Sequence, residues 1–294
     1  MISPELKDLL STRLSGLIGS AMAGIRFVPQ GGGSINEAYR VETPGGNNFF
    51  LKLNANPRFS KHFEREKNGL DFLSCQEKIR VPCAFDPGAA GNAAFLLMEW
   101  VPPGTRNRAF WESLGKGLAG LHQVTSDRFG FHEDNFIGAL PQANPTGPDW
   151  VQFFADFRLR PLVTPAAEQG LIEPETALQF EKLYSRLADY FDTEPPALLH
   201  GDLWSGNFLC DSQSRPVLID PAVYFGHRSM DLAMTTLFGG FDRLFYESYN
   251  YYYPFPANYR EQWELCNLYP LLVHLHLFGA SYLPAIRATL RCYC

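Results

Sequence analysis

The most informative part of this 294-residue chain is His200-Gly201-Asp202-Leu203-Trp204-Ser205-Gly206-Asn207, followed by the strand-like run Pro216-Val217-Leu218-Ile219-Asp220. Asp202 and Asn207 are five positions apart (207 − 202 = 5), which is the spacing of the base-positioning Asp and the metal-binding Asn in kinase catalytic loops. A second metal-binding Asp is expected at an adjacent strand end, where Asp220 lies. Mg²⁺ needs few protein ligands, so Asn207 and Asp220 suffice. The segment therefore predicts phosphoryl transfer from ATP, with Asp202 as the catalytic residue.

Each of these residues also has a purely structural interpretation. An Asp or Asn next to Gly is common in turns, and Asp220-Pro221 could simply close a strand before a loop. Because the spacing and the strand context occur together, we favour catalysis over this alternative.

A kinase also needs a strand Lys that binds the α- and β-phosphates and a helix Glu that pairs with it. Lys52 lies in the apolar and aromatic run 48–53, where an unpaired ammonium is costly to desolvate, so we expect it to bind a ligand. A helical pattern over residues 61–73 follows, and Glu66 is the predicted partner of Lys52. An ordinary solvated helix charge is the alternative for Glu66.

A glycine-rich turn precedes this strand and contains Gly32, Gly33 and Ser34. Glycine lets backbone N–H groups approach phosphate closely, so these residues are predicted to bind nucleotide. The turn matches neither the Walker A pattern nor the full glycine loop of protein kinases, and a hairpin turn is its other interpretation.

A second nucleotide-binding element is predicted in the strand-like run 94–101, which ends in the stiff linker Pro102-Pro103-Gly104. We predict that the Met98 side chain closes the back of an adenine pocket. Main-chain groups of Glu99 and Val101 are expected to face the base. A strand without a ligand role is the alternative.

Further motifs span nearly the whole chain. They are the glycine turn at 31–33, Phe129-Gly130, Asp134-Asn135, Ile137-Gly138, Pro141-Gln142, Asn144, Asp220-Pro221-Ala222, Gly226-His227-Arg228, Asp231-Leu232-Ala233-Met234 and Phe238-Gly239-Gly240-Phe241. Together with residues 200–207, they resemble the fructosamine kinase family, within the aminoglycoside phosphotransferase and kinase-like group. Ser229 stands where the family usually carries Glu or a similar residue, so no salt bridge is inferred there.

The resemblance implies an α+β, protein-kinase-like fold of two lobes. Residues 1–100 would form a nucleotide-binding lobe with an antiparallel sheet and a helix, and residues 101–294 a mainly helical lobe with the catalytic loop and the acceptor site. The implied activity is ATP- and Mg²⁺-dependent phosphorylation of the sugar O3 of ribulosamine, erythrulosamine or fructosamine adducts, which promotes deglycation. Another small-molecule kinase of the aminoglycoside or choline kinase type, and a nucleotide-binding pseudokinase, are the alternatives.

Trp204 is the strongest candidate for acceptor binding, because an aromatic face can pack on the apolar side of a sugar or on its amine-bearing group. Core packing is the alternative for Trp204. The resemblance adds His227 and Asp134 as weaker substrate-binding candidates. His200 and Asp231 are predicted to tie the catalytic loop to its lobe, and Asp231 also suits a helix N-cap.

Composition narrows the expected partners and location. A net charge of −6 without a basic cluster argues against nucleic acid or an anionic membrane as the main partner. The uncharged stretch 265–286 contains Asn, Pro, His and Gly, so a buried helix is predicted instead of a membrane span. Six cysteines without zinc spacing and a first segment without a signal-peptide core predict a cytoplasmic protein. We expect a small-molecule or protein-bound ketosamine as its partner, and a monomer or weak homodimer.

Overall fold

The computed structural model describes residues 2–20, 24–31, 35–85 and 87–294. The chain divides into two compact units: the first contains Met1–Thr105 and Leu209–Asp220, and the second contains Arg106–Phe208 and Pro221–Cys294. The sequence predicted one boundary, between residues 100 and 101, and did not anticipate that 209–220 belongs to the first unit. The assignment of the two units to nucleotide and acceptor binding stays a prediction.

The first unit is built around an antiparallel sheet. Its order is β1-β2-β3-β5-β4, with β1 Arg26–Gln30, β2 Glu37–Glu42, β3 Asn48–Asn54, β4 Gly88–Ala90 and β5 Ala93–Glu99. Helix α1 (Pro4–Ile18) begins after Ser3, whose hydroxyl accepts a hydrogen bond from the backbone N–H of Leu6. Helix α2 (Ser60–Ser74) confirms the helical pattern expected over residues 61–73.

The two faces of β3 have different surroundings. Leu51 and Leu53 belong to an apolar cluster with three leucines of α1, namely Leu6, Leu10 and Leu14. Because successive strand residues point to opposite faces, Lys52 lies on the other face of the sheet, and Glu66 of α2 contacts it there. The alternation of β3 therefore separates the apolar core from the charged group.

The second unit is mainly helical, so the predicted α+β arrangement is confirmed. Its helices are α3 Arg108–His122, α4 Trp150–Phe154, α5 Arg160–Glu168, α6 Pro174–Tyr184, α7 Ser229–Leu237, α8 Arg243–Tyr252, α9 Tyr259–Cys266, α10 Leu268–Phe278 and α11 Leu283–Tyr293, with a π-helical segment, Ala155–Leu159, between α4 and α5. Short 3₁₀ segments cover Pro57–Phe59 in the first unit, and Leu187–Asp189 and Ala280–Tyr282 in the second.

The described residues also form three pairs of short strands. They are β6 Asn135–Ile137, β7 Leu140–Gln142, β8 Ala197–Leu199, β9 Phe208–Cys210, β10 Pro216–Leu218 and β11 Tyr224–Gly226, paired as β6 with β7, β8 with β11 and β9 with β10. The catalytic loop thus follows directly after β8 and runs into β9. Strand β10 is held in the first unit, where the backbone N–H of Leu218 donates to the carbonyl oxygen of Arg80 at 2.9 Å.

Helices α3 and α8 pack closely against each other in the second unit. A Cβ atom at Gly115 of α3 would overlap the carbonyl oxygen of Phe245 in α8, so only glycine permits this approach. The uncharged stretch 265–286 is divided among α9, α10 and α11 by breaks at Asn267 and Gly279. Across the described ranges, every helix is too short or too polar to cross a membrane.

Candidate active site

Lys52 is the centre of a buried charge cluster in the first unit. Its Nζ atom donates to Oε1 of Glu66 at 2.7 Å and also pairs with Oδ1 of Asp220. Burial alone would lower the pKa of Lys52, but the Asp220 and Glu66 carboxylates outweigh it and raise that pKa above its ordinary value. The ammonium therefore stays charged. The predicted pairing of Lys52 with Glu66 is present, whereas binding of nucleotide by either residue stays a prediction.

Glu66 has an unusual environment for a helix carboxylate. Burial raises its pKa to about 7, against the opposing effect of the Lys52 ammonium, and the Asp220 carboxylate adds to the rise. Its side chain is only 13% exposed, so the alternative of an ordinary solvated helix charge is wrong.

Asp220 adopts a conformation that most residues avoid. Its φ is +57°, in the left-handed region, which costs a non-glycine residue about 1–2 kcal/mol and recurs at functional sites. The side chain is 37% exposed, so its carboxylate remains accessible although one oxygen pairs with Lys52. The strain and the exposure together favour a ligand-binding role over a simple strand end.

In the second unit, the five-residue spacing brings Asp202 and Asn207 into direct contact. The Nδ2 atom of Asn207 donates to Oδ2 of Asp202 and to its backbone carbonyl oxygen, both at 2.9 Å. The backbone N–H of Asn207 donates to the carbonyl oxygen of Trp204 at 3.0 Å, which closes the turn. Since Nδ2 acts as the donor, Oδ1 of Asn207 is the acceptor atom of the amide.

The donor chemistry of Asn207 and Asp220 fits Mg²⁺. Each offers a hard oxygen, and Mg²⁺ commonly takes one or two carboxylates while phosphate and water complete its shell. Within the described ranges, no cluster of three or more His, Cys, Asp or Glu side chains could hold a metal by itself. That Asn207 and Asp220 bind the same ion stays a prediction.

Asp231 holds the backbone that leads into Asp202. Its Oδ2 accepts the N–H of His200 at 2.7 Å, and its Oδ1 accepts the N–H of Gly201 at 2.8 Å. The tie between this carboxylate and the catalytic loop is therefore present. The suggested N-cap role is wrong, because α7 begins at Ser229 and Asp231 lies inside its first turn, with its carboxylate directed at the loop backbone.

Among the acceptor candidates, Trp204 has an accessible side chain. It is 37% exposed and makes an edge-to-face contact with Phe238 at 6.1 Å between ring centroids. Simple core packing does not describe this position, and acceptor binding stays a prediction. Asp134 is also exposed, and one of its oxygens accepts the backbone N–H of Asn144 at 2.8 Å. Its contact with substrate stays a prediction.

His227 does not fit the substrate-binding role predicted for it. Its side chain is 1% exposed and packs against the rings of Trp150 and Phe191. Its Nδ1 accepts the backbone N–H of Ser229 at 3.2 Å, and burial lowers its pKa to about 4. We therefore assign His227 to the core of the second unit. Ser229 itself donates its hydroxyl to Gln262, in place of a salt bridge.

The predicted adenine-binding residues lie at the end of β5. Met98 is buried and pairs in register with Phe50 of β3. The backbone N–H of Glu99 donates to the carbonyl oxygen of Cys83 at 2.8 Å, so only the carbonyl of Glu99 retains the predicted role of facing the adenine base. Val101 is buried. The roles of these three residues stay predictions. Gly32, Gly33 and Ser34 lie outside the described residues.

Sequence reasoning missed Arg80, whose side chain joins two acidic residues of the first unit. Its guanidinium pairs with the carboxylates of Glu99 and of Asp211, and the Asp211 contact is 2.9 Å long. No local pattern marks this residue, because Asp211 is 131 positions away. It also missed His122, the last residue of α3, which contacts Asp231.

A model of the fructosamine kinase family matches residues 8–293. The chain belongs to this family. It is 38% identical over 259 residues to the "Probable ketoamine kinase" of Enterococcus faecium, covering 87% of this chain and 91% of the relative. It is 36% identical over 263 residues to the chloroplastic protein-ribulosamine 3-kinase of Arabidopsis thaliana, covering 86% and 77%.

A solved structure from Thermobifida fusca, assigned as a fructosamine-3-kinase, superimposes with a TM-score of 0.85 at 34% identity and covers 97% of this chain and 98% of the other. A macrolide 2′-phosphotransferase at 17% identity, with a TM-score of 0.60 and coverage of 98% of both chains, shares the fold alone. The predicted kinase-like, two-lobe fold class is confirmed.

Proposed function

We propose that this protein is an ATP- and Mg²⁺-dependent ketosamine kinase that phosphorylates O3 of the sugar and so promotes deglycation. The observation that carries the proposal is the contact between Asp202 and Asn207 in a chain that the family model matches over residues 8–293. Relatives named as ketoamine kinases and as a protein-ribulosamine 3-kinase support the acceptor class. The substrate is a small-molecule or protein-bound ketosamine, and the cytoplasmic location and oligomeric state stay predictions.

The charge cluster of the first unit suits the binding of ATP phosphates. Lys52 binds the α- and β-phosphates as a permanent cation, and Glu66 orients its ammonium. Asn207 and Asp220 would hold Mg²⁺, which neutralises phosphate charge when bound.

The catalytic loop of the second unit suits the acceptor. Asp202 accepts the hydrogen bond of the sugar hydroxyl and takes its proton. A bond forms between O3 and the γ-phosphorus as the bond to the leaving oxygen of ADP breaks. Asn207 orients the Asp202 carboxylate through Oδ2. Because the transition state is usually loose, positioning and charge neutralisation contribute more than deprotonation.

Trp204 supplies an aromatic face for the acceptor. The exposed indole would pack on the apolar side of the sugar or beside its cationic amine. The net charge of −6 is compatible with an amine-bearing substrate.

The test is ATP-dependent phosphorylation of ribulose-, erythrulose- and fructose-lysine, with the phosphorus position determined by NMR. The wild-type protein is expected to modify O3 of at least one of them. Asp202→Asn should reduce turnover by about 10²- to 10⁴-fold. Asp127→Asn, at an exposed position of the same unit, is the matched control and should leave turnover unchanged.

Two results would contradict the proposal. Phosphorylation of an aminoglycoside or of choline without any of the three ketosamines would assign the protein to another kinase class. Binding of ATP without phosphate transfer to any hydroxyl substrate would identify a pseudokinase.

A further inference from the structure

A chain of buried polar side chains extends from Asp231 to the far side of α3. His122 Nε2 lies 3.1 Å from Oδ2 of Asp231, and His122 Nδ1 lies 2.8 Å from the hydroxyl of Tyr249 in α8. All three side chains are at most 1% exposed. The close packing of α3 and α8 at Gly115 brings His122 and Tyr249 together.

The direction of the His122–Asp231 hydrogen bond follows from the carboxylate. Burial alone would raise the pKa of Asp231, but hydrogen bonds from His122 and from the Gly201 backbone outweigh it and lower that pKa, so the side chain is ionised and can only accept. Nε2 of His122 therefore carries a proton and donates to Oδ2 of Asp231. In the neutral imidazole Nδ1 is then the acceptor, and the Tyr249 hydroxyl donates to it.

Asp231 depends on this contact for its orientation. In the described part of the chain no Lys or Arg side chain forms an ion pair with Asp231, and its partners are His122 and the N–H groups of His200 and Gly201. The carboxylate accepts from two consecutive N–H groups, so a rotation of it would shift the peptide groups that precede Asp202. Gly201 itself has φ +85°, and a Cβ there would overlap the carbonyl of Ala222.

We propose that His122 is a positioning residue for phosphoryl transfer. Its Nε2–H orients Asp231, and Asp231 sets the peptide groups of His200 and Gly201 that place Asp202. The inference rests on the proposed function, but it assigns a role to a residue far from Asp202 in sequence, and that role does not require contact with either substrate.

Two substitutions at His122 separate positioning from packing. The amide nitrogen of Gln can occupy the place of Nε2 and donate to Asp231, whereas the shorter Asn reaches only the place of Nδ1. We expect His122→Asn to lower kcat by about 10- to 100-fold, the scale of a 1 Å misplacement, with the KM for ATP within about twofold. His122→Gln should recover most of that loss.

His276→Asn is the matched control. His276 Nε2 contacts the carbonyl oxygen of Leu162 at 2.8 Å, so this variant also loses a histidine hydrogen bond in the second unit. Its kcat should change by less than about twofold. Equal losses of kcat in His122→Asn and His122→Gln, or an unchanged kcat in His122→Asn, would overturn the proposal.

Amide hydrogen exchange tests the same inference without activity. Residues 200–204 should exchange faster in His122→Asn than in wild type, and His122→Gln should restore the protection. If wild type phosphorylates no ketosamine, the proposed function fails while this comparison still decides the positioning role. Identical exchange of these residues in all three proteins would refute it.

Discussion

Replacing Lys52 with Met tests the buried charge cluster through stability. Met is similar in length to the aliphatic part of Lys, but it leaves the Glu66 and Asp220 carboxylates without their shared cation. Removing one partner of a buried ion pair costs about 3–5 kcal/mol, so we expect a loss of that size in the free energy of unfolding near pH 8.

The pH dependence of this loss follows from Glu66. Burial raises its pKa on folding from 4.5 to about 7, so the folded state binds this proton more tightly than the unfolded state does. For an acid whose pKa is raised, the stabilisation is present below the unfolded pKa and is lost as the pH rises through the folded value. Without Lys52 the pKa of Glu66 rises further, so the cost of Lys52→Met should be about 1 kcal/mol smaller near pH 6 than near pH 8.

Urea unfolding of four proteins measures both effects. They are wild type, Lys52→Met, Glu66→Gln and the double variant, and the double variant should recover about 2 kcal/mol relative to additivity. Lys67→Met removes a more exposed Lys from the pair that Lys67 forms with Asp71 in α2, and should cost less than about 1 kcal/mol. A loss no larger than that of Lys67→Met, or one that does not vary with pH, would refute the reasoning.

Three further outcomes are expected. Gly201→Ala should reduce kcat by about 100-fold and lower the melting temperature, because its φ is +85° and the new Cβ would overlap the Ala222 carbonyl; normal kinetics would contradict the loop geometry. Asp220→Ala should lose at least about 10²-fold in turnover, measured across a Mg²⁺ titration, and retained turnover would rule out the metal assignment. Since burial lowers the pKa of His227 from 6.5 to about 4, the unfolded state binds the extra proton, so stability should fall by up to about 3 kcal/mol as the pH drops through that window. His227→Gln should flatten this acid limb in urea titrations, and an identical limb would exclude His227 as its source.

Local features were predictable because adjacent residues specify them. The apolar spacing over residues 61–73 predicted α2, and α1 begins at Ser3-Pro4, a pair that is typical of a helix start. The contact between Asp202 and Asn207 follows from a separation of five positions, since a single turn brings both side chains together.

Long-range features were not predictable from periodicity. An apolar pattern shows which face of an element is buried but does not identify the group that packs on it. His227 therefore gave no sign that the rings of Trp150 and Phe191 would enclose it. Asp231 resembled a helix cap because its local sequence suits one, whereas its partners His200 and Gly201 lie about 30 positions earlier.

Residues 209–220 belong to the first unit but are translated long after the rest of it. A ribosome that has released only residues 1–105 has supplied Lys52, Glu66 and Arg80, but neither Asp211 nor Asp220. The nascent segment would hold a buried ammonium and a guanidinium that lack part of their counter-charge, together with an unpaired carbonyl at Arg80. Its native structure can form only after more than a hundred further residues have been translated, which makes early arrest or truncation at the linker a route to aggregation.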